Sequence, residues 1–87
     1  MSILKEIGEG VLAYQPKKVE EHTRRALDEG MSAAEVLNDG LIPAMDTVGK
    51  KYEAGEIYVP EMLMAAKAMK AALAILRPIL AETGVES

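Results

Sequence analysis

The longest run of regularly spaced apolar residues in the chain is "PEMLMAAKAMKAALAILRPILAE", residues 60–82. Its apolar residues recur every three or four positions, which is the spacing of an α-helix and not of a strand. Pro60 suits the first turn of a helix, because the N–H groups of that turn have no partner within the helix and the N–H that proline lacks is not missed. Glu61 suits it because the helix dipole favours an acidic side chain there. We therefore predict that the longest helix of the chain runs from Pro60 to about Glu82.

This last helix is apolar around most of its circumference. It carries two apolar stripes, the first formed by Met62, Ala66, Met69, Leu73, Leu76 and Leu80, and the second by Met64, Ala68, Ala72, Ile75 and Ile79. Only a narrow strip with Lys67, Lys70 and Arg77 is basic. Such a helix is expected to be contacted on most sides, so we predict that it forms the centre of a bundle. Pro78 is expected to kink or loosen its last turn.

Helical spacing also extends through the upstream residues, and no segment shows the alternation of a confident strand. We predict helices over residues 3–14, 16–29, from 32 onward and from 43 to about 54. Ser32 and Glu35 form a capping box, Gly30 and Gly55 are candidate C-caps, and "NDG" at 38–40 is predicted to break the third helix. The sequence thus predicts one all-α domain over residues 1–87, a small four-helix bundle of four to five segments.

Composition excludes several classes of protein. The 87 residues contain no cysteine, so no disulfide framework or thiolate metal site is expected, and a reducing compartment such as the cytoplasm is the default. A net charge of −4 with scattered lysines gives no basic surface for nucleic acid. The N-terminus lacks the features of a signal peptide, and no apolar run approaches the length that spans a membrane.

Enzymatic motifs are also missing from the sequence. It has neither a cysteine nucleophile nor a phosphate-binding glycine loop, and its one histidine, His22, has no second histidine with which to share a metal. His22 is expected to be a partly exposed surface residue. The carboxylates, including the Glu53 and Glu56 pair, are explained as solvated faces, caps and salt-bridge partners. We therefore expect a protein that is not itself an enzyme.

The stretch "YEAGEIYVPEM", residues 52–62, places two of the three tyrosines around a turn. In one interpretation Tyr58 is a hydrophobic staple and Tyr52 is the last member of its helix stripe, each with its hydroxyl in water. In the other, the two rings converge with Met62 on a binding patch at one end of the bundle. The residues alone do not favour either interpretation.

Residues 40–80, "GLIPAMDTVGKKYEAGEIYVPEMLMAAKAMKAALAILRPIL", resemble the N-terminal helical cap that precedes the cobalamin-binding domain of corrinoid methyl-carrier proteins and of methionine synthase. The most specific matches are "GLIPAM..VG..Y..GE", "YVPE" and the alanine-rich last helix. The resemblance looks strongest to the small corrinoid proteins that serve methylamine or methanol methyltransferases. It implies a cap that covers the methyl-bearing face of the corrin ring and moves aside for a methyltransferase. Carried over by motif, the cofactor-binding side chains are those of Tyr52, Tyr58, Val59 and Met62.

The sequence departs from the family pattern in two ways. Both aromatic positions hold tyrosine where phenylalanine is common, and the Asp-x-His-x-x-Gly motif that carries the cobalt ligand is absent. We therefore expect a cap without its Rossmann-like cobalamin-binding domain, which by itself binds cobalamin weakly or not at all. The partners implied by the resemblance are that C-terminal domain and the cognate methyltransferases. The alternative is a stand-alone helical module that forms a homodimer through the surface which the cofactor domain would cover.

Overall fold

The structure, a computed structural model, describes residues 2–83, and every regular element in this range is helical. The elements are α1 (Ile3–Leu12), α2 (Pro16–Asp28), α3 (Ala33–Glu35), a π-helical segment (Val36–Leu41), α4 (Ile42–Glu53) and α5 (Val59–Thr83). Because α3, the π-helical segment and α4 follow one another without a break, they form one continuous helix. The predicted all-α, four-helix architecture is confirmed.

The predicted break at "NDG" is wrong, because residues 38–40 lie inside the π-helical segment. The backbone N–H of Ile42 donates to the carbonyl of Leu37, five residues earlier. Pro43 has no N–H, and in an α-helix its ring would clash with the carbonyl of Asp39, four residues earlier. The wider turn relieves this conflict, so the chain remains helical across the proline.

Three helices end in the same motif, in which a left-handed residue follows the cap and two backbone hydrogen bonds close the last turn. The left-handed residues, with φ of 59°, 97° and 76°, are Tyr14, Gly30 and Gly55. At the end of α4, the N–H of Gly55 donates to Tyr52 (3.1 Å) and the N–H of Glu56 donates to Lys51 (2.9 Å). The two predicted glycine caps are confirmed, whereas α1 ends at Leu12, two residues before the predicted Tyr14.

The core is aliphatic and lies where α5 packs against α2 and α1. α5 contributes one buried stripe of small residues and one leucine, namely Ala65, Ala68, Ala72 and Leu76. The alanines let the neighbouring helices approach closely. The expectation that α5 is contacted on most sides is wrong: the bundle measures 38 × 27 × 17 Å, and in so thin a molecule α5 keeps large apolar side chains exposed at different positions around the helix, among them Leu63 and Met64. α5 continues through Pro78 to Thr83.

None of the helices in residues 2–83 combines the length and the apolar character that a membrane crossing requires. The four ion pairs seen among the described residues lie at the surface, and three of them join residues four apart on one helix. Thr23 is fully buried in α2, and its hydroxyl finds no hydrogen-bond partner among the described residues. Thr23 is therefore held in the core by the packing of its neighbours on the apolar side of α2, and not by a hydrogen bond of its hydroxyl to another described residue.

Candidate functional site

The turn between α4 and α5 fixes the position of the two tyrosines. Tyr58 is the N-cap of α5, and its carbonyl accepts the N–H groups of Glu61 and Met62, both at 3.1 Å. The N–H of Tyr58 donates to Oε1 of Glu61 at 3.2 Å. α5 therefore begins at Val59, one residue earlier than the predicted Pro60.

The staple interpretation of Tyr58 is wrong. A hydrophobic staple joins the residue before the N-cap to the fourth residue of the helix, and these positions are held by Ile57 and Met62. Ile57 belongs to the buried core and Met62 packs against it. Tyr58 instead stays 70% exposed, so core packing does not account for its ring.

Tyr52 has a mixed environment. It ends the stripe that runs from the π-helical segment into α4, in which Leu41 and Val48 are buried and Met45 packs against the core. Its side chain is nevertheless 41% exposed. The stripe therefore explains the direction in which Tyr52 points, but leaves much of its ring free for another contact.

The exposed apolar side chains of α4 and α5 form one surface. On α4 the positions 42, 45, 49 and 52 follow helical spacing, and on α5 the positions 59, 62, 63 and 66 do the same. A groove lined by Ile42 together with Met69, Leu73 and Leu80 shows that the start of α4 lies beside the second half of α5, and the short turn at residues 54–58 brings the end of α4 next to the start of α5. We call this surface the α4–α5 face and define it by Ile42, Met45, Tyr52, Tyr58, Val59, Met62 and Leu63.

The four residues predicted for cofactor binding all lie on the α4–α5 face. Tyr52, Tyr58 and Val59 are exposed near the turn that joins the two helices, and Met62 is half-buried beside them. Tyr52 thus lies just before the turn, Tyr58 at its end and the other two just after it, whereas their convergence on one ligand and their binding of it remain predictions.

Three members of the face, Ile42, Met45 and Leu63, were not predicted as site residues from the sequence. Leu63 is 63% exposed and Ile42 is 46% exposed. The available signal for Leu63 was its position outside both apolar stripes of the last helix. Met64, by contrast, lies about 200° around the helix from Met62 and does not belong to this face.

The side chains of the α4–α5 face are suited to covering an apolar surface. All seven of its defining residues are uncharged, and the groove beside it contains one cation, Arg77. Residues 2–83 contain no cluster of three or more histidine, aspartate or glutamate side chains that could hold a metal ion. His22 is half-buried in a shallow depression with Glu6 and Lys18, away from the α4–α5 face. The face can therefore exclude water from a flat apolar body, but it supplies no nucleophile or general base.

The sequence profile of the family described as the B12 binding domain matches residues 3–77. The chain belongs to this family. It is 44% identical over 63 residues to monomethylamine corrinoid protein 1 of Methanosarcina acetivorans, covering 72% of this chain and 29% of that protein. It is 33% identical over 85 residues to a corrinoid protein of Desulfitobacterium hafniense, covering 98% of this chain and 39% of the relative.

The fold is similar to that of a solved member of the same group. The structure of the Methanosarcina barkeri monomethylamine corrinoid protein aligns with a TM-score of 0.87 and 32% sequence identity, over 90% of this chain and 37% of that one. These matches confirm the resemblance to the helical cap of corrinoid proteins. The chain spans well under half the length of the relatives it matches.

Proposed function

We propose that this chain is the cap of a corrinoid protein and that its α4–α5 face covers the methyl-bearing face of cobalamin. In this role the cap controls access to the methyl group and is not itself a catalyst. Its partners are a cobalamin-binding domain and the methyltransferases that donate and accept the methyl group. Because relatives are named monomethylamine and trimethylamine corrinoid proteins, we propose that these methyltransferases act on methylamines.

The residues present fit such a group. The corrin ring is broad and flat, and two helices lying side by side offer a surface wider than a single helix would. Bulk and low polarity exclude water, and the exposed side chains of Tyr58, Val59 and Leu63 supply both. Bound cobalamin supplies the cobalt centre that carries the methyl group. The tyrosine hydroxyls, which the apolar face cannot satisfy, need partners in water or at the edge of the ring.

The observation that carries the proposal is the environment of Tyr58. Its backbone caps α5, the neighbouring Ile57 and Met62 occupy the staple positions, and its ring is left exposed. An aromatic ring that neither packs in the core nor caps a helix is available for a ligand. Tyr52 adds a second partly exposed ring at the same end of the bundle.

The test is to join this chain to the cobalamin-binding part of the M. barkeri relative and load the fusion with methylcobalamin. Photolysis of the methyl–cobalt bond is followed by the visible spectrum. We expect Tyr58→Ala to speed photolysis severalfold, because the opening admits water and lets the separated fragments escape. Met64→Ala, on the other side of α5, serves as the matched control and should leave the rate unchanged.

An equal rate in Tyr58→Ala and the unsubstituted fusion would contradict the proposed cover. The 87-residue chain without the added part provides a second control. We expect it to lose methylcobalamin on gel filtration, since one apolar face offers too little contact to offset the cost of association.

We also propose, as a second use of the same face, that the isolated chain forms a homodimer. The supporting observation is the exposure of several large apolar side chains next to one another on a small bundle. A two-fold axis would place the α4–α5 face of one copy against that of the other. Sedimentation over a concentration series tests this, and a purely monomeric species at high concentration would exclude it.

A further inference from the structure

Two helices of the bundle begin with the same arrangement of residues. At α3, Ser32 is the N-cap and Glu35 is the third helical residue; at α5, these positions belong to Tyr58 and Glu61. In both, a glutamate oxygen accepts the backbone N–H of the N-cap residue, at 3.3 Å for Glu35 and 3.2 Å for Glu61. Each glutamate therefore bonds back to the residue that starts its helix.

The two arrangements differ in what the N-cap side chain does. Oγ of Ser32 accepts the N–H of Glu35 at 3.1 Å, which completes a reciprocal pair. The ring of Tyr58 offers no such acceptor, and the N–H of Glu61 bonds to the Tyr58 carbonyl instead. Among the described residues, the carboxylate of Glu61 is the one side-chain group seen to bond to the backbone at the start of α5.

This bond matters for the Tyr58 ring because the ring has little packing of its own. A side chain that is mostly exposed takes its direction from its backbone and from its rotamer preferences. The Tyr58 backbone is held on one side by the buried Ile57 and on the other by the first turn of α5. Its N–H, however, is fixed by the Glu61 carboxylate.

Glu61 is well suited to hold this bond. It is half-buried, which restricts its side chain, and no lysine or arginine in residues 2–83 forms an ion pair with it. Its negative charge also lies in the first turn of α5, where the helix dipole favours it. No cation in the described part of the chain therefore competes with the Tyr58 N–H for the carboxylate.

We infer that Glu61 is a positioning residue, whose carboxylate fixes the Tyr58 backbone and thereby directs the tyrosine ring onto the α4–α5 face. The part of this inference that concerns what the ring covers rests on the proposed function. The coupling between Glu61 and Tyr58 does not, because it is a property of this chain alone and can be measured without cobalamin.

The experiment compares Glu61→Ala, Glu61→Gln and Glu35→Ala by NMR in the 87-residue chain. Hydrogen exchange of the Tyr58 amide reports the bond, and the Hα–Hβ couplings of Tyr58 report how far its ring is confined to one rotamer. We expect Glu61→Ala to speed exchange at Tyr58 about tenfold, the loss of one hydrogen bond, and to average the couplings. Glu61→Gln keeps an acceptor oxygen and should stay close to the unsubstituted chain.

Glu35→Ala is the matched control, because it removes the same contact from α3. It should speed exchange at Ser32 and leave both Tyr58 measurements unchanged. The inference is overturned if Glu61→Ala leaves Tyr58 unchanged, or if Glu35→Ala alters Tyr58 as much, since the effect would then be a general loss of stability. If Tyr58 loosens as expected but photolysis in the fusion does not respond to Tyr58→Ala, the proposed function fails and the positioning role stands.

Discussion

Tyr58 occupies a position at which tyrosine is an unfavourable choice for helix stability. The N-cap favours serine, threonine, aspartate and asparagine, whose oxygen accepts a free N–H of the first turn. Ser32 meets this preference and Tyr58 does not, although the two helix starts are otherwise alike. A residue that lowers stability at its own position, with its ring in solvent, is typical of a functional site.

We predict that Tyr58→Ser stabilises the isolated chain by about 0.5–1 kcal/mol, because the serine oxygen can complete the pair with Glu61. The free energy of unfolding from urea titrations measures this. Tyr52→Ser is the control: Tyr52 is less exposed and caps no N-terminus, so it should give no gain. Loss of stability in Tyr58→Ser would show that the ring packs more than its exposure indicates.

Among the elements, the close crossing of α1 and α2 depends on one glycine, Gly10, which has no side chain. A β-carbon placed on Gly10 would lie 2.8 Å from Cγ2 of Val19, closer than real β-carbons approach. In the sequence, Gly8 and Gly10 only lower the helix propensity of α1. In the structure, Gly10 lets α1 lie against α2, so the weak propensity is offset by tertiary packing.

We predict that Gly10→Ala destabilises the chain by about 1–3 kcal/mol, because overpacking outweighs the gain in helix propensity. Gly49→Ala in α4 is the matched control. Apart from the backbone of its own helix turn, no heavy atom lies within 4 Å of its added β-carbon, so it should stabilise the chain by up to about 1 kcal/mol. Thermal and urea unfolding followed by circular dichroism measure both, and a stabilising Gly10→Ala would contradict the close crossing.

The molecule as a whole has an apolar side and a charged remainder. The ion pairs involve mostly exposed side chains, and such pairs contribute little to stability. The α4–α5 face, in contrast, leaves Leu63 and Tyr58 largely in solvent. Exposed apolar area of this kind supports the proposed association through this face.

We predict that Leu63→Arg shifts the isolated chain toward monomer, because it replaces a largely exposed apolar member of the α4–α5 face with a charge. Met64→Arg changes the neighbouring residue on another side of α5 and should leave association unaltered. Sedimentation equilibrium measures both, with circular dichroism to verify that helix content is retained. Equal effects of the two substitutions would place the contact elsewhere on the bundle.

Local signals in the sequence were sufficient for most element boundaries. The capping box at Ser32 and the glycines at 30 and 55 were predicted because a cap involves only residues within one helical turn. The helical class followed from spacing alone. The π-helical segment was not predicted, since "NDG" before Pro43 is a turn signal that the surrounding bundle overrides by keeping the chain helical.

Spacing and cap residues were enough to predict a small helical bundle, to place most helix starts and ends, and to locate the turn that carries two tyrosines. The packing of the helices was needed to show which side of the apolar α5 is buried, and that Ile57, not Tyr58, occupies the staple position. The physical reason is that caps and periodicity depend on near neighbours in the chain. Exposure depends on which helices pack together, and in this thin bundle they leave one side of α4 and α5 uncovered.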